Sequence, residues 1–167
     1  MTPTLRRATP DDAELVLRFI RELAEYEREP DAVEATAAGL RQQLSSPAPP
    51  FECLLAELSG EPCGFALFFH NYSTWRGRAG IYLEDLFVSE RARGRGVGRA
   101  LLAEVARIAV ARGCARLEWA VLDWNQPAID FYRALGASPM DEWTVFRLTG
   151  DPLTRLGAQR QSENTSR

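Results

Sequence analysis

"YLEDLFVSERARGRGVGRALLAEVARIAVARG", Tyr82–Gly113, decides how the chain is read. An apolar run stops at Val88. Four arginines and three glycines crowd into residues 91–99, and apolar residues then resume at helical spacing. The pattern predicts a strand, a loop and a helix over Val97–Arg112, with Gly113 as a natural C-terminal stop. "LEWAVL", Leu117–Leu122, reads as the next strand. A strand–helix–strand unit of this kind places its two strands side by side and parallel.

The same logic extends outward. "TLRRA" reads as a first short strand. "TPDDAELVLRFIRELAEYERE" reads as a helix, with Thr9 as its cap, Pro10 at the first helical position and Asp11 and Asp12 in the first turn. A second helix is expected over about Glu34–Leu44, ending before the Pro/Ser loop "SSPAPP". "FECLLAEL" and "CGFALFFHNY" flank "SGEP", a hairpin turn. "GIYLEDLFV" is a third long strand. "NQPAIDFYRALG" is a shorter helix closed by Gly136, and "EWTVFRL", Glu142–Leu148, is a last strand. One α/β domain is expected over residues 1–156, around a largely antiparallel sheet. Residues 157–167 read as a polar, disordered tail.

Composition narrows the function. The chain has 167 residues, 46% hydrophobic and 26% charged, as in ordinary globular proteins. It carries no lysine, which removes Schiff-base chemistry and a Walker lysine. Cys53, Cys63 and Cys114 fit neither a zinc site nor a redox pair, and His70 is the single histidine, so no metal is expected. The absence of an apolar signal region makes the cytoplasm the expected compartment. The net charge of −3 argues against nucleic acid as a partner, and no run is apolar enough for a membrane.

Positive charge and bare backbone at a helix mouth nevertheless need a reason. A helix start offers unpaired N–H groups and partial positive charge. Glycines let an anion approach the main chain closely. Gly94, Gly96 and Gly98 therefore suit a nest of donors for a phosphate or pyrophosphate, and the surrounding arginines raise the potential. The spacing is that of neither the P-loop nor the dinucleotide fingerprint.

The arrangement resembles the acyl-coenzyme A loop of the GNAT N-acetyltransferase superfamily, Arg/Gln-x-x-Gly-x-Gly/Ala, with Arg93, Gly96 and Gly98 in the fixed places. "VLDWNQPAIDFYRALGA" is similar to that superfamily's second coenzyme-binding and catalytic segment. With "YSTWRGRAGIYLEDLFV" and "IRELAEYE", the likeness is to the diamine (spermidine/spermine) and thialysine acetyltransferase branch, over about residues 4–150. The resemblance implies a mixed, mostly antiparallel sheet of about six or seven strands with a splayed parallel pair and flanking helices. It also implies acetyl-coenzyme A as cosubstrate, a small primary amine as acceptor, a ternary complex and a homodimer. The alternatives are a protein or peptide N-acetyltransferase and a non-catalytic acyl-coenzyme A sensor.

Carried over residue by residue, Leu86, Phe87 and Val88 supply backbone groups for the pantetheine arm. Arg93, Gly94, Arg95, Gly96, Val97, Gly98 and Arg99 hold the pyrophosphate. Asn125, Gln126, Pro127 and Ala128 touch the coenzyme's far side. Tyr132 is the expected proton donor to the departing thiolate. The attacking amine, with an ordinary pKa of about 10.4, must lose a proton first. Glu84 is the expected base or water-holder. Side chains alternate along a strand, so one of Glu84 and Asp85 must turn inward, and burying a carboxylate without a partner is costly. Tyr26, Glu27, Glu84, Glu118, Trp119 and Ala120 are the expected amine-binding set. Asp11–Glu34 carries nine acids against three arginines, an excess that would draw a cation. "YSTW" places Ser73 and Thr74 where polyamine-preferring members carry an acid, which resembles the thialysine-preferring side.

Overall fold

The computed structural model describes residues 2–163, and the side chains of residues 2–158. The chain divides into two compact units, the first ending at Asp123 and the second beginning at Trp124.

The first unit is a five-stranded sheet in sequence order: β1 (Thr4–Arg7), β2 (Glu52–Leu58), β3 (Glu61–Ser73), β4 (Arg78–Val88) and β5 (Leu117–Glu118). β1 to β4 pair antiparallel; β4 and β5 are parallel. The β2–β3 turn uses Ser59 and Gly60, both at positive φ (55° and 82°), which suits the right-handed twist of a tight hairpin. Helices α1 (Ala13–Tyr26) and α2 (Ala37–Leu44) cover one face; α3 (Val97–Ala111) packs on β2, β3 and β4.

Alternation sorts the core. Cys53, Leu55, Phe65, Leu67 and Phe87 join Val16, Leu17 and Phe19 of α1 in one cluster, where Phe19 stacks on Phe65 at 5.7 Å between ring centroids. Each such aromatic contributes roughly 1.5–3 kcal/mol by burial. Before α1, a turn at Pro10–Asp12 is tied down by Asp12. Its carboxylate accepts from the Thr9 N–H at 2.8 Å and from Arg6 at 2.8 Å. The three cysteines are free thiols, and burial pushes Cys53 up to about 12. His70 lies inside β3, with Nε2 3.3 Å from the Arg112 guanidinium.

The second unit holds α4 (Gln126–Ala134) and α5 (Gly150–Glu163). Asn125 caps α4 by accepting from the Ala128 N–H at 3.3 Å, and Gly136 follows at φ 89°.

Three expectations are corrected. Glu142–Leu148 forms no strand among the described residues. Trp143, Val145 and Phe146 are exposed. The strand expected over Leu117–Leu122 is paired only at Leu117–Glu118, and without a strand at Glu142–Leu148 the described sheet has five strands rather than six or seven. Residues 157–163 of the expected tail are helical, continuing α5; residues 164–167 lie outside the described residues. No described helix is long and apolar enough to cross a membrane.

Candidate functional site

β4 carries the site in the first unit. Its parallel pairing with β5 covers only Ile81–Leu117 and Tyr82–Glu118. Beyond Tyr82, among the described residues, the strand is laddered to β3 alone, with Leu86, Phe87 and Val88 opposite Ala66, Phe65 and Gly64. One edge of Leu86–Val88 therefore offers main-chain groups outside the sheet. Gly64 permits this register, because a side chain there would press on the Phe87 carbonyl at 2.6 Å.

The loop after β4 has the geometry of a donor nest. Gly94 and Gly96 have φ of 72° and 80°, and a Cβ at either position would meet no atom within 4 Å. Gly96 immediately precedes α3, so the N–H groups of Val97, Gly98 and Arg99 have no intrahelical acceptor. Open space, left-handed glycines and orphan donors at a helix mouth fit a pyrophosphate. Arg95 and Arg99 are exposed. Arg93 is exposed too, but engaged: its Nε donates to the Val88 carbonyl at 3.1 Å, and its guanidinium lies over the Tyr26 ring at 4.5 Å.

The acidic side turns on a β-bulge. Leu67 faces Asp85 and Phe68 faces Leu83, so Glu84 is the extra residue. The bulge puts Leu83 with Phe68 on the α3 face and Asp85 with Leu67 on the α1 face. Asp85, not Glu84, is the carboxylate turned inward; Glu84 stays exposed. Burial, followed by the nearby charges of Glu84 and Glu27, pushes Asp85 up to about 7. Burial alone also raises Glu27, at the C-terminus of α1. Among the described residues, no cation pairs with Asp85.

Glu118 is engaged elsewhere. It pairs with Arg116 at 2.7 Å and accepts from Asn71 Nδ2 at 2.8 Å. Gly80 makes room for this contact, since a side chain there would collide with Asn71 and Arg116. Trp119 is half-buried and Ala120 exposed, both after β5 ends; Trp75, in the β3–β4 turn, is 87% exposed. In the second unit, α4 presents Gln126, Pro127 and Ala128 in its first turn and Tyr132 one turn later. Tyr132 is half-buried, with its ring 5.3 Å from that of Phe131.

Sequence reading left open which carboxylate turns inward; Asp85 is the half-buried one and Glu84 is exposed. It did not foresee that Arg93 lies over Tyr26. A two-residue alternation cannot show a bulge, and a cation–π contact across distant segments leaves no local pattern.

The model of the acetyltransferase (GNAT) family matches residues 16–137. The chain belongs to this family. It is an acetyltransferase, and its match bridges the division between the two units. It is 41% identical to a thialysine N-epsilon-acetyltransferase of Bos taurus, over 93% of this chain and 97% of that one. It is 33% identical to an L-ornithine N5-acetyltransferase of Arabidopsis thaliana, over 93% and 88% of the two chains. Among solved structures, an integron cassette protein from V. cholerae aligns with TM-score 0.78 and 28% identity, covering 94% of this chain and 98% of the other.

Proposed function

We propose that this acetyltransferase moves the acetyl group of acetyl-coenzyme A to a primary amine of a small molecule, by direct attack in a ternary complex. The favoured acceptors are thialysine, ornithine, lysine-like amino acids and short diamines. The observation that carries the reading is the near full-length match to acetyltransferases whose named acceptors are amino acids with a terminal side-chain amine. The acids Glu27, Glu84 and Asp85 suit a cationic acceptor.

Acetyl-coenzyme A, when bound, supplies the acetyl group as an activated thioester. Gly94–Arg99 hold its diphosphate, and Leu86–Val88 orient the pantetheine arm through their open edge. The main-chain N–H of about Leu86 offsets the negative charge that develops on the carbonyl oxygen. Glu84 takes the amine's proton, directly or through water. Tyr132, on α4, is assigned the proton passed to the departing sulfur, whose ordinary pKa is about 8.5. Asn125–Ala128 are assigned the far side of the coenzyme. Glu118, already neutralised by Arg116, shapes the acceptor end rather than supplying free charge. A homodimer and a cytoplasmic location are part of the proposal. The exposed run Trp143, Val145, Phe146 supports pairing of copies.

An amine panel with acetyl-coenzyme A, following free thiol release, tests the reading. Thialysine, ornithine and diamines should be acetylated well and a histone-tail peptide poorly. Preference for the peptide, or thiol release with none of these amines, contradicts it.

A further inference from the structure

The segment between β4 and α3 is fastened to α1 at two points. Ser89 Oγ donates to Glu22 at 2.9 Å, and the Arg93 guanidinium covers Tyr26 at 4.5 Å, with Phe87 at 6.0 Å. Glu22 and Tyr26 are four residues apart, so both fastenings grip the same face of the helix, one turn from each other. The second lies where α1 ends. Glu27 follows directly, and Arg28 is held at φ 67°, a conformation that costs a non-glycine residue on the order of 1 kcal/mol.

The arginines of the loop therefore divide by task. Arg95 and Arg99 are exposed and make no hydrogen bond or ion pair among the described residues, so they are free to meet an anion. Arg91 reaches the Pro62 carbonyl at 3.4 Å. Arg93 is committed twice, to the Val88 carbonyl and to the Tyr26 ring.

We infer that Arg93 is a positioning residue for the amine: stacked on Tyr26, it ties the coenzyme loop to the turn bearing Glu27 and so fixes the acceptor's site relative to the bound coenzyme. The inference rests on the proposed reading of the loop and of Glu27. Stacking requires the flat guanidinium, so a lysine, though cationic, does not replace it.

The test compares Arg93→Lys, Tyr26→Leu, Tyr26→Phe and the Arg93→Lys/Tyr26→Leu double variant in the full chain. Coenzyme A affinity is read by calorimetry, and amine KM and kcat by thiol release. Arg93→Lys should raise the amine KM about five- to tenfold, the size of a lost cation–π contact, while coenzyme A affinity falls by a smaller factor. Tyr26→Leu should do the same, Tyr26→Phe should recover most of that loss, and the double variant should be no worse than either single one. Weakened coenzyme A binding with an unchanged amine KM in Arg93→Lys overturns the inference, making Arg93 a phosphate ligand only. So do fully additive losses in the double variant. Coenzyme A binding separates the two layers. A wild-type chain that neither binds coenzyme A nor acetylates any amine removes the functional reading together with this inference. An active wild type with an indifferent Arg93→Lys removes the inference alone.

Discussion

The two ends of the last stretch of β4 hold charge in opposite ways. At Arg91–Arg99, cations sit in water on a glycine-rich backbone, with open space around Gly94 and Gly96. At Glu84–Asp85, a bulge turns one carboxylate under α1, where no cation meets it among the described residues. The loop costs the fold little. The half-buried acid, without a cationic partner among the described residues, costs it stability.

The loop side breaks most completely. Gly96→Val forces a β-branched residue to φ 80° at the mouth of α3. Coenzyme A affinity should fall about 100-fold or more by calorimetry, from strain and blocked approach together. Normal affinity would mean that the phosphates lie elsewhere.

On the acidic side, Glu84→Gln removes the proposed base. Turnover near neutral pH should drop about 10²-fold, and the pH needed for activity should rise as more amine must ionise by itself. An unchanged profile with full activity would retire Glu84 from proton transfer.

Asp85 and Asp12 sharpen the contrast through stability alone. Asp85 holds its proton to about pH 7 when folded but releases it near 4 when unfolded. The folded chain thus binds more protons between these values, and stability falls as pH rises from about 4 to 7. Asp85→Asn should remove that loss, raising stability by on the order of 1–2 kcal/mol at pH 8 and little at pH 4, read by urea unfolding. A destabilised variant at pH 8 would show that the carboxylate has a partner. Asp12 behaves in reverse, because hydrogen bonds from Arg6 bring it down to about 2. Its contribution is present above about pH 4 and lost as pH falls through 2. Asp12→Asn should cost about 1 kcal/mol at pH 7, since Arg6 is partly solvated, and almost nothing at pH 2. An equal cost at both pH values would place the effect in the turn rather than in the charge.

The same contrast separates what sequence makes legible. Helix α3 begins at Val97 and ends before Gly113, as its spacing and glycines indicate, because caps and periodicity are local. The Ser59–Gly60 turn is local too, and "SGEP" reads as a hairpin turn for that reason. The fate of Glu84 and Asp85 depends on β3, since one extra residue in the register exchanges which carboxylate turns inward. Glu142–Leu148 carries a strand's alternation but no strand forms, because a strand needs a neighbour and pattern names none. Arg93 reads as a phosphate ligand from its motif, and no local pattern shows that its guanidinium also lies over Tyr26 of α1.

Everything in the proposed mechanism depends on main-chain donors of the β4–α3 loop gripping a diphosphate. Amide hydrogen exchange resolved by NMR, with and without acetyl-coenzyme A, reads those donors one by one. The account predicts that the coenzyme slows exchange at Gly94–Arg99 more than anywhere else in the first unit. Unchanged exchange there, with protection arising in another segment, would contradict it.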